Sequence, residues 1–279
     1  TSLFYRDIYW AFPDYRERVG TAVATAMGCV YRYDLAWYSR YIDRLYLPSM
    51  RMGAHVPGFP EERMAPLPPG CEIIDEAPSP RADGELHLLY IGGLGGHYRL
   101  QECLRAVRDV PGTSLTICTR PDQWEAAGDQ YADLVEAAGG RIEVVHRSGE
   151  ELSALYERAD LCVLFVEPDP YREFASPVKL YEYLGRGKPV IASQGTLAAE
   201  VVGAAGAGWT LPYDASELSG LLRGLLEHPQ EVAEAAGRAR EARQEHTWLS
   251  RARAVAKDME AVRAGGLAQA RTLRAGGVR

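Results

Sequence analysis

From Leu86 onward, short apolar segments alternate with segments whose apolar residues recur at helical spacing. The apolar segments predict strands at Leu86–Ile91, Ser114–Cys118, Ile142–Val145, Leu161–Phe165, Val190–Ala192 and Trp209–Leu211. The helical spacing predicts helices at Arg99–Asp109, Gln123–Ala138, Glu150–Arg158, Val178–Leu184 and Ser216–Glu227. High helix propensity continues from Pro229 to Val262, with a break at His246–Thr247. This alternation favours an α/β fold, with a doubly wound parallel sheet and helices on both faces.

The first 64 residues have a different character, because they are rich in tyrosine and tryptophan. Their pattern predicts a strand end at Leu3–Tyr5 and helices at Arg16–Gly28 and Leu35–Arg44. Pro66–Pro80 is rich in proline and acidic residues, as interdomain linkers are. We therefore expect residues 1–70 to be part of an N-terminal domain whose first half is absent, followed by a linker at 71–84. The remaining expected parts are a domain at 85–245, a returning helix at 246–263 and a disordered tail at 264–279.

Composition excludes several classes of function. The net charge of -7 argues against a nucleic-acid binder, and no apolar run approaches the ~20 residues of a membrane span. The five cysteines contain no C-x-x-C pair and the six histidines no H-x-x-x-H pair, so neither a disulfide framework nor a metal is predicted. We expect a cytoplasmic protein without a cofactor.

Glu173–Ser193, reading EFASPVKLYEYLGRGKPVIAS, contains the most informative pattern. Ser176-Pro177 precedes a helix whose polar face carries Lys179 and Glu182. A helix start offers free backbone N–H groups and the positive end of a dipole, which attract a phosphate. A carboxylate one turn further on can accept two hydrogen bonds from a vicinal diol. One element could therefore hold a diphosphate and a ribose, so we predict a nucleotide-sugar site.

A glycine-rich loop follows the strand Leu86–Ile91 and runs from Gly92 to His97. Its glycines allow close approach of the backbone to a phosphate. The spacing is not G-x-G-x-x-G, and no acidic residue follows about 20 positions later, which disfavours a nicotinamide or flavin site. A tight turn without a ligand is the structural alternative. Arg99 lies at the start of the following helix, within reach of a phosphate.

Taken in order, these segments resemble the family-4 glycosyltransferases, whose GT-B fold has two Rossmann-like domains facing across a cleft. Tyr90–Ala106 resembles the family's strand, glycine loop and helix of the nucleotide domain, and Arg141–Phe165 resembles its later strand, short helix and strand. Glu173–Ser193 is similar to the paired-glutamate motif that precedes G-x-P-V. Phe4–Asp7 falls where the family often has His-Asp, and Tyr41–Met52 is similar to a later Pro-Ser segment.

The resemblance implies transfer of a sugar from a nucleoside-diphosphate sugar to an acceptor hydroxyl, with retention and without a metal. It makes residues 1–70 part of the acceptor-binding domain and residues 85–245 the nucleotide-sugar-binding domain. It places three residues at the reaction centre, namely Arg6, Asp7 and Glu173. It places the donor against twelve residues, namely Gly92, Gly93, Leu94, Arg99, Arg120, His146, Arg147, Ser176, Pro177, Val178, Lys179 and Glu182. The acceptor stays open among a polysaccharide, a lipid-linked glycan and a small natural product. The aromatic N-terminal part leaves peripheral contact with the inner face of a membrane open.

Two departures from the family pattern bear on the site. The family spacing places the first glutamate at Phe174, whereas Glu173 lies one residue earlier. Gly93 and Tyr98 occupy positions where the family often has basic residues, which leaves Arg99 alone beside the loop. Two other classes therefore remain open: a sugar-nucleotide epimerase of the same fold, and a non-catalytic sugar- or nucleotide-binding subunit.

Overall fold

The structure, a computed structural model, describes residues 1–75, 84–95 and 98–276, with side chains described up to residue 264. The chain forms two compact units. Unit 1 comprises Thr1–Pro69, Phe174–Ser176 and Trp248–Arg279, and unit 2 comprises Gly70–Glu173 and Pro177–Thr247. Each unit is described by itself.

Unit 2 contains a six-stranded, fully parallel sheet in the order β6-β5-β4-β7-β8-β9. Its strands are β4 Leu86–Ile91, β5 Thr113–Cys118, β6 Ile142–Val145, β7 Leu161–Leu164, β8 Val190–Ser193 and β9 Gly208–Leu211. All six predicted strands are confirmed to within one residue at each end. The order reverses between β4 and β7, as in a doubly wound Rossmann-like sheet, so the predicted α/β class is confirmed.

The helices of unit 2 cover both faces of this sheet. They are α4 Gln101–Asp109, α5 Pro121–Ala127, α6 Ala132–Ala137, α7 Leu152–Arg158, α8 Val178–Gly185, α9 Leu197–Ala205, α10 Ala215–Glu227 and α11 Gln230–Ala242. Alternate residues of β4 enter two separate cores, with Leu88 and Tyr90 in one and Leu89 and Ile91 in the other. Burial on both faces explains the nearly continuous apolar runs of the strands.

Two helix predictions in unit 2 were wrong. The single helix predicted at Gln123–Ala138 is divided by a 3-10 turn at Gly128–Gln130. A Cβ on Gly128 would lie 2.9 Å from the Trp124 ring, so the indole packs against the chain where the helix ends. The helix α9 was missed, although Thr196 caps it by accepting a hydrogen bond from Ala199 N at 3.2 Å.

Part of the predicted linker packs on unit 2. Cys71 N donates to His246 O at 2.8 Å, and Ile74 N donates to Gly185 O at 3.1 Å. A Cβ on Gly185 would lie 2.3 Å from Glu72 O, so this close approach of two backbones requires glycine. The residues 76–83 of the predicted linker lie outside the described residues.

Unit 1 contains a three-stranded parallel sheet in the order β1-β2-β3, formed by Ser2–Phe4, Arg44–Leu47 and Met64–Pro66. Its helices are α1 Pro13–Val19, α2 Thr21–Tyr41, α3 Met50–Gly53 and α12 Trp248–Gly276. The two helices predicted at Arg16–Gly28 and Leu35–Arg44 are wrong in their bounds. The chain breaks at Gly20, whose φ of 84° is unfavourable for other residues, and α2 then runs uninterrupted.

The helix α12 belongs to unit 1 and is held there by polar contacts. Asp258 pairs with Arg44 at 2.6 Å and accepts a hydrogen bond from Tyr46 Oη at 2.8 Å. In the first turn of α12, Arg251 Nε donates a hydrogen bond to Pro69 O at 3.3 Å. Helical backbone continues through most of the predicted tail to Gly276, and residues 277–279 lie outside the described part of the chain. Among the described helices, none combines the length and apolarity that crossing a membrane requires.

Candidate functional site

The carboxyl ends of β4, β5 and β6 and the helix α8 meet at one edge of the unit 2 sheet. Tyr183 Oη, from α8, accepts a hydrogen bond from Ile91 N at 2.9 Å. Gly92 N donates to Cys118 O at 3.1 Å, and His146 Nδ1 lies 2.8 Å from Thr119 O. The predicted residues of the glycine loop, of the β5 and β6 ends and of α8 therefore share the edge where parallel sheets bind ligands.

The glycine loop is shaped by the tyrosine that precedes it. Tyr90 Oη donates to Gly93 O at 2.7 Å, and a Cβ on Gly92 would lie only 2.6 Å from that hydroxyl. Gly95 has a φ of 82°, which again favours glycine. Leu94 points into the core rather than to solvent, so only its backbone is available to a ligand. Gly96 and His97 of the predicted loop lie outside the described residues.

The first turn of α8 is open for an anion. Pro177 has extended backbone at the N-cap position, and no described side chain caps the helix. In this turn Leu180 N donates to Pro177 O at 3.1 Å. The amides of Val178 and Lys179 precede it, where an α-helix provides no carbonyl partner. Ser176 is grouped with unit 1, so the part of the predicted phosphate site in unit 2 begins at Pro177.

Glu182 lies one turn into α8 and is held in place by two neighbours. Its Oε2 accepts from Lys179 Nζ at 2.5 Å and from Tyr156 Oη at 3.4 Å. Burial raises the pKa of Tyr156 well above its ordinary value, so the phenol stays protonated and can donate. The Arg186 guanidinium lies 4.1 Å from the centre of the same ring. The carboxylate is thus positioned, and Lys179 is its counter-ion as well as a candidate phosphate ligand.

The remaining basic candidates take part in exposed ion pairs. Arg99 pairs with Glu167 at 2.7 Å and Arg147 with Glu151 at 3.1 Å. Arg120 lies 3.6 Å from Asp122. Exposed pairs of this kind contribute about 0–1 kcal/mol, so a diphosphate can draw these arginines away at small cost.

Arg172 is a cation that the sequence analysis missed. Its guanidinium lies 4.3 Å from the centre of the Tyr98 ring, and its Nε lies 3.9 Å from Asp169. The Arg172 side chain is only 12% exposed, so its charge is held beside the glycine loop. The β7–α8 loop thus brings a cation to Tyr98, which stands where the family often has a basic residue. The sequence signal that could have found Arg172 is its place directly before the predicted site residue Glu173. Glu173 itself is exposed, and its backbone N donates to Asp169 O at 3.3 Å.

The candidates in unit 1 have structural partners. Asp7 Oδ1 accepts from Ile8 N at 2.7 Å and from Tyr9 N at 3.0 Å, which caps the 3-10 turn that begins at Tyr9. Arg6 is exposed. Both residues belong to unit 1, whereas the donor candidates on the parallel sheet belong to unit 2.

Phe174, at the position that the family spacing assigns to a glutamate, is buried in unit 1. Its ring lies 5.3 Å from the Phe12 ring and 4.9 Å from the His55 ring, and its carbonyl accepts from Ser49 Oγ at 2.6 Å. Phe174 thus serves as an apolar anchor within unit 1, and Glu173 is the exposed carboxylate nearest to it in sequence.

No metal-binding cluster of three or more His, Cys, Asp or Glu residues occurs among the described residues. The five cysteines are free thiols, of which only Cys29 is exposed. The absence of a metal or cofactor stays a prediction.

Comparison with protein families identifies the chain. The model of the family described as "Glycosyl transferase-like" matches residues 99–257, more than half of the chain. The protein therefore belongs to the glycosyl transferase-like family. The matched region includes α8 and its glutamate, and it begins after the glycine loop. No curated protein sequence matches the chain.

Solved structures of glycosyltransferases have the same fold. HepE of Anabaena, solved with UDP and glucose, is 16% identical with a TM-score of 0.70, over 93% of this chain and 71% of that chain. Sucrose-phosphate synthase of Thermosynechococcus elongatus is 20% identical with a TM-score of 0.62, over 80% of this chain. WaaG, a lipopolysaccharide glycosyltransferase, is 21% identical with a TM-score of 0.57, over 72% of this chain and 58% of that chain. This chain therefore spans only 59% of the length of the sucrose-phosphate synthase chain to which it is similar. The fold is therefore that of the GT-B glycosyltransferases, with Rossmann-like domains.

Proposed function

We propose that this protein binds a nucleoside-diphosphate sugar at the carboxyl edge of the unit 2 sheet and transfers the sugar to an acceptor hydroxyl. The observation that supports this most is the arrangement on α8. An uncapped first turn lies one turn from Glu182, whose carboxylate is held by Lys179 and Tyr156. The glycine loop is tied to the same helix through Tyr183 and Ile91.

In this proposal the two phosphates lie between the glycine loop and the start of α8. The amides of Val178 and Lys179 donate to phosphate oxygens, and the helix dipole contributes about 0.3–1 kcal/mol in an exposed site. The backbone of Gly92–Leu94 lines the other side. Glu182 accepts hydrogen bonds from the two ribose hydroxyls.

Positive charge for the diphosphate comes from four elements. Arg99 and Arg172 flank the glycine loop, Lys179 extends from α8, and Arg147 follows β6. His146 and Arg120, at neighbouring strand ends, lie on the nucleobase side of the site. Because charge accumulates on the departing diphosphate, groups positioned around it lower the barrier.

In the proposed transfer, one bond of the anomeric carbon breaks and another forms. The bond from the anomeric carbon to the diphosphate oxygen breaks, and its electron pair leaves with the diphosphate. The acceptor oxygen forms the new bond to the anomeric carbon, and its proton passes to a diphosphate oxygen. We propose a retaining reaction of the family-4 type that needs no metal, in which the departing diphosphate itself acts as the base for the acceptor hydroxyl. Glu173, Arg6 and Asp7 are proposed to face the transferred sugar.

The donor is proposed to be a UDP-sugar. Support comes from the HepE structures, which carry UDP, UDP and glucose, or UDP-glucose. The test is calorimetric titration with UDP, GDP, ADP, TDP and CDP of the parent, of Glu182→Ala and of Glu157→Ala. Glu157 is an exposed carboxylate on α7 and serves as the matched control.

We expect UDP to bind best and Glu182→Ala to weaken its binding by about ten-fold or more, as for loss of a hydrogen bond to a charged group. Preferential binding of another diphosphate would contradict the proposed UDP-sugar. Glu157→Ala should bind like the parent. Failure of every diphosphate at millimolar concentration, or equal weakening by both variants, would contradict the site. If the nucleotide-sugar binds but its sugar is neither transferred nor hydrolysed, the result would favour a non-catalytic subunit. If the configuration of the donor sugar changes in the absence of an acceptor, the result would favour an epimerase.

Peripheral membrane contact is proposed for the outer face of α2. Five large apolar side chains of this helix are each about half exposed or more, namely Val23, Val30, Tyr33, Trp37 and Tyr41. Their spacings of seven, three, four and four residues place them on one side of the helix. Aromatic side chains of this kind occur where proteins meet the interface of a bilayer. A location at the cytoplasmic face stays a prediction.

A further inference from the structure

We propose that His146 determines which nucleotide the donor site accepts, because its Nε2 accepts a hydrogen bond from the N3–H group of uracil. This role rests on the donor site proposed above and names the residue that selects the base. The groups assigned above to the diphosphate and the ribose would serve any ribonucleotide, so selection among bases needs a further contact.

A hydrogen bond to Thr119 fixes the tautomer of the His146 ring. Nδ1 lies 2.8 Å from the carbonyl oxygen of Thr119. A carbonyl oxygen can only accept, so Nδ1 carries the hydrogen, and in the neutral ring Nε2 then carries none. Nε2 is therefore an acceptor. His146 is exposed, and within the described part of the chain Nε2 has no hydrogen-bond partner of its own.

The ring is anchored where two neighbouring strands end. His146 directly follows β6, and Thr119 directly follows β5. Thr119 N donates to Val145 O at 3.1 Å, so the two strands stay joined up to the residue that holds the ring. This is the edge of a parallel sheet where ligands bind. The acceptor is thus fixed to the sheet at both of its anchoring strands.

The cations beside His146 can supply donors to the same base. Arg147 is the next residue, and Arg120 follows the residue that anchors the ring. Their guanidiniums pair with Glu151 at 3.1 Å and with Asp122 at 3.6 Å, in exposed contacts that hold them weakly. A guanidinium donates and never accepts. The strand ends therefore offer one fixed acceptor with donors on adjacent residues.

This set of groups matches uracil. The base presents N3–H, a donor, between two carbonyl oxygens, which are acceptors. Cytosine has a lone pair at N3 and adenine has one at N1, so either would place an acceptor against Nε2 of His146. Guanine has N1–H, but an amino group beside it would face a guanidinium, donor against donor. A contact built for a ring N–H disfavours bases that lack it, because polar groups are left without a partner.

The test is calorimetric titration of the full chain with UDP, 5-methyl-UDP, 3-methyl-UDP and CDP. The methylated ligands form a matched pair, because a methyl group at N3 removes the donor whereas one at C5 leaves it in place. The variants are His146→Phe, which keeps a planar ring without an acceptor, and His228→Phe, a control at an exposed histidine that ends α10. Thermal unfolding reports whether each variant folds. Titration of Glu182→Ala with UDP reports on the donor site separately.

We expect the parent to bind UDP and 5-methyl-UDP alike, and to bind 3-methyl-UDP and CDP about ten-fold or more weakly, as for a polar group left unpaired. His146→Phe should weaken UDP and bring the four affinities within about three-fold of one another. His228→Phe should behave like the parent. If His146→Phe weakens all four ligands equally, the residue only supports the strand ends and the proposal is wrong.

Failure of base selection and failure of the donor site give different results. If UDP binds and Glu182→Ala weakens it, but the parent does not distinguish UDP from 3-methyl-UDP, then His146 does not select the base and the donor site stands. This comparison uses the parent alone, so it decides the matter even if His146→Phe does not fold. If no ligand binds the parent at millimolar concentration, the donor site is wrong and the role of His146 is wrong with it.

Discussion

Unit 2 and unit 1 use aromatic residues in opposite ways. In unit 2 five tyrosines are buried, namely Tyr90, Tyr131, Tyr156, Tyr181 and Tyr183. Several of their hydroxyls bind backbone groups, as Tyr183 binds Ile91 N at 2.9 Å and Tyr131 binds Tyr98 O at 3.0 Å. In unit 1 large aromatics stay exposed, among them Tyr33 at 66% and Trp37 at 51%. Since both sets look alike as residue types, only their hydrogen-bond partners and exposure separate a core tyrosine from one that is available to a ligand.

The sheets explain the difference. Six parallel strands with helices on both faces give unit 2 two cores. Unit 1 has three described strands, and the outer side of its helix α2 is exposed. We therefore expect substitutions in the packed core to change the stability of unit 2 most. In unit 1 we expect substitutions on the exposed aromatic surface to change binding rather than stability.

The largest expected effect is a failure of packing in unit 2. Gly208 has a φ of 150°, and a Cβ there would lie 1.9 Å from Val190 O in the neighbouring strand. Gly208→Ala should lower the free energy of unfolding of unit 2 by on the order of 4 kcal/mol, because the backbone of β8 must move. Hydrogen exchange, read by mass spectrometry for each unit, measures it.

The matched change in unit 1 should have the opposite sign. A Cβ on Gly28, within α2, would meet only Arg32 at an ordinary 3.8 Å. Gly28→Ala should therefore stabilise unit 1 by about 1 kcal/mol through helix propensity. Equal effects of the two substitutions would break the comparison.

The next effect is a dependence on pH that belongs to unit 2. His87 is buried in β4, with Ser114 Oγ at 2.7 Å and Thr116 Oγ1 at 3.0 Å from its ring nitrogens. Burial, assisted by Arg158, lowers the pKa of His87 to about 4, from 6.5. Between these values the unfolded chain binds the proton and the folded chain does not, so stability falls as pH falls.

The loss should approach about 3 kcal/mol between pH 6.5 and pH 4, at about 1.4 kcal/mol for each unit of pH. Denaturant unfolding of the parent and of His87→Gln across this window measures it. The variant should show a shallower slope even if it is less stable at neutral pH. An unchanged slope would show that His87 is not the group responsible.

A smaller effect tests the polar contacts of unit 1. Asp258→Ala removes the ion pair to Arg44 and the hydrogen bond from Tyr46. The partly buried Arg44 then loses its carboxylate partner, and its Nε already has no hydrogen-bond partner among the described residues. We expect a loss of about 2 kcal/mol, confined to unit 1. Glu260→Ala, an exposed position on the same helix, should change stability by less than about 0.5 kcal/mol. Hydrogen exchange of β2 and α12 distinguishes these outcomes.

The smallest expected change in stability is on the outer face of α2. Trp37→Ser and Tyr41→Ser should alter the free energy of unfolding by no more than about 0.5 kcal/mol, because both side chains are more than half exposed. They should nevertheless reduce sedimentation with vesicles of phosphatidylcholine and phosphatidylglycerol. Trp248→Ser removes an equally exposed tryptophan from α12 and should leave vesicle binding unchanged. If the parent does not sediment with vesicles, the membrane surface is wrong.

The sequence predicted the strands of unit 2 closely because each is a short, largely apolar run, and the inner strands β4 and β7 are buried on both faces. It predicted helix bounds less well where tertiary contacts decide them. The helix expected at Gln123–Ala138 stops where Trp124 packs at Gly128. The break between helices lies at Gly20, before α2, and was misplaced because the role of Gly20 depends on backbone conformation.

For the candidate site, the sequence determined which residues share an edge. The carboxyl ends of parallel strands must lie together, and α8 follows directly from its Ser-Pro start and the later Gly-Lys-Pro. Family membership likewise follows from residues 99–257. Only the tertiary structure decided the partners of these residues: Lys179 and Tyr156 on Glu182, Arg172 on Tyr98, and a buried Phe174 in unit 1. The physical reason is that local pattern fixes which face of an element is apolar, whereas a side-chain contact depends on groups brought from distant parts of the chain.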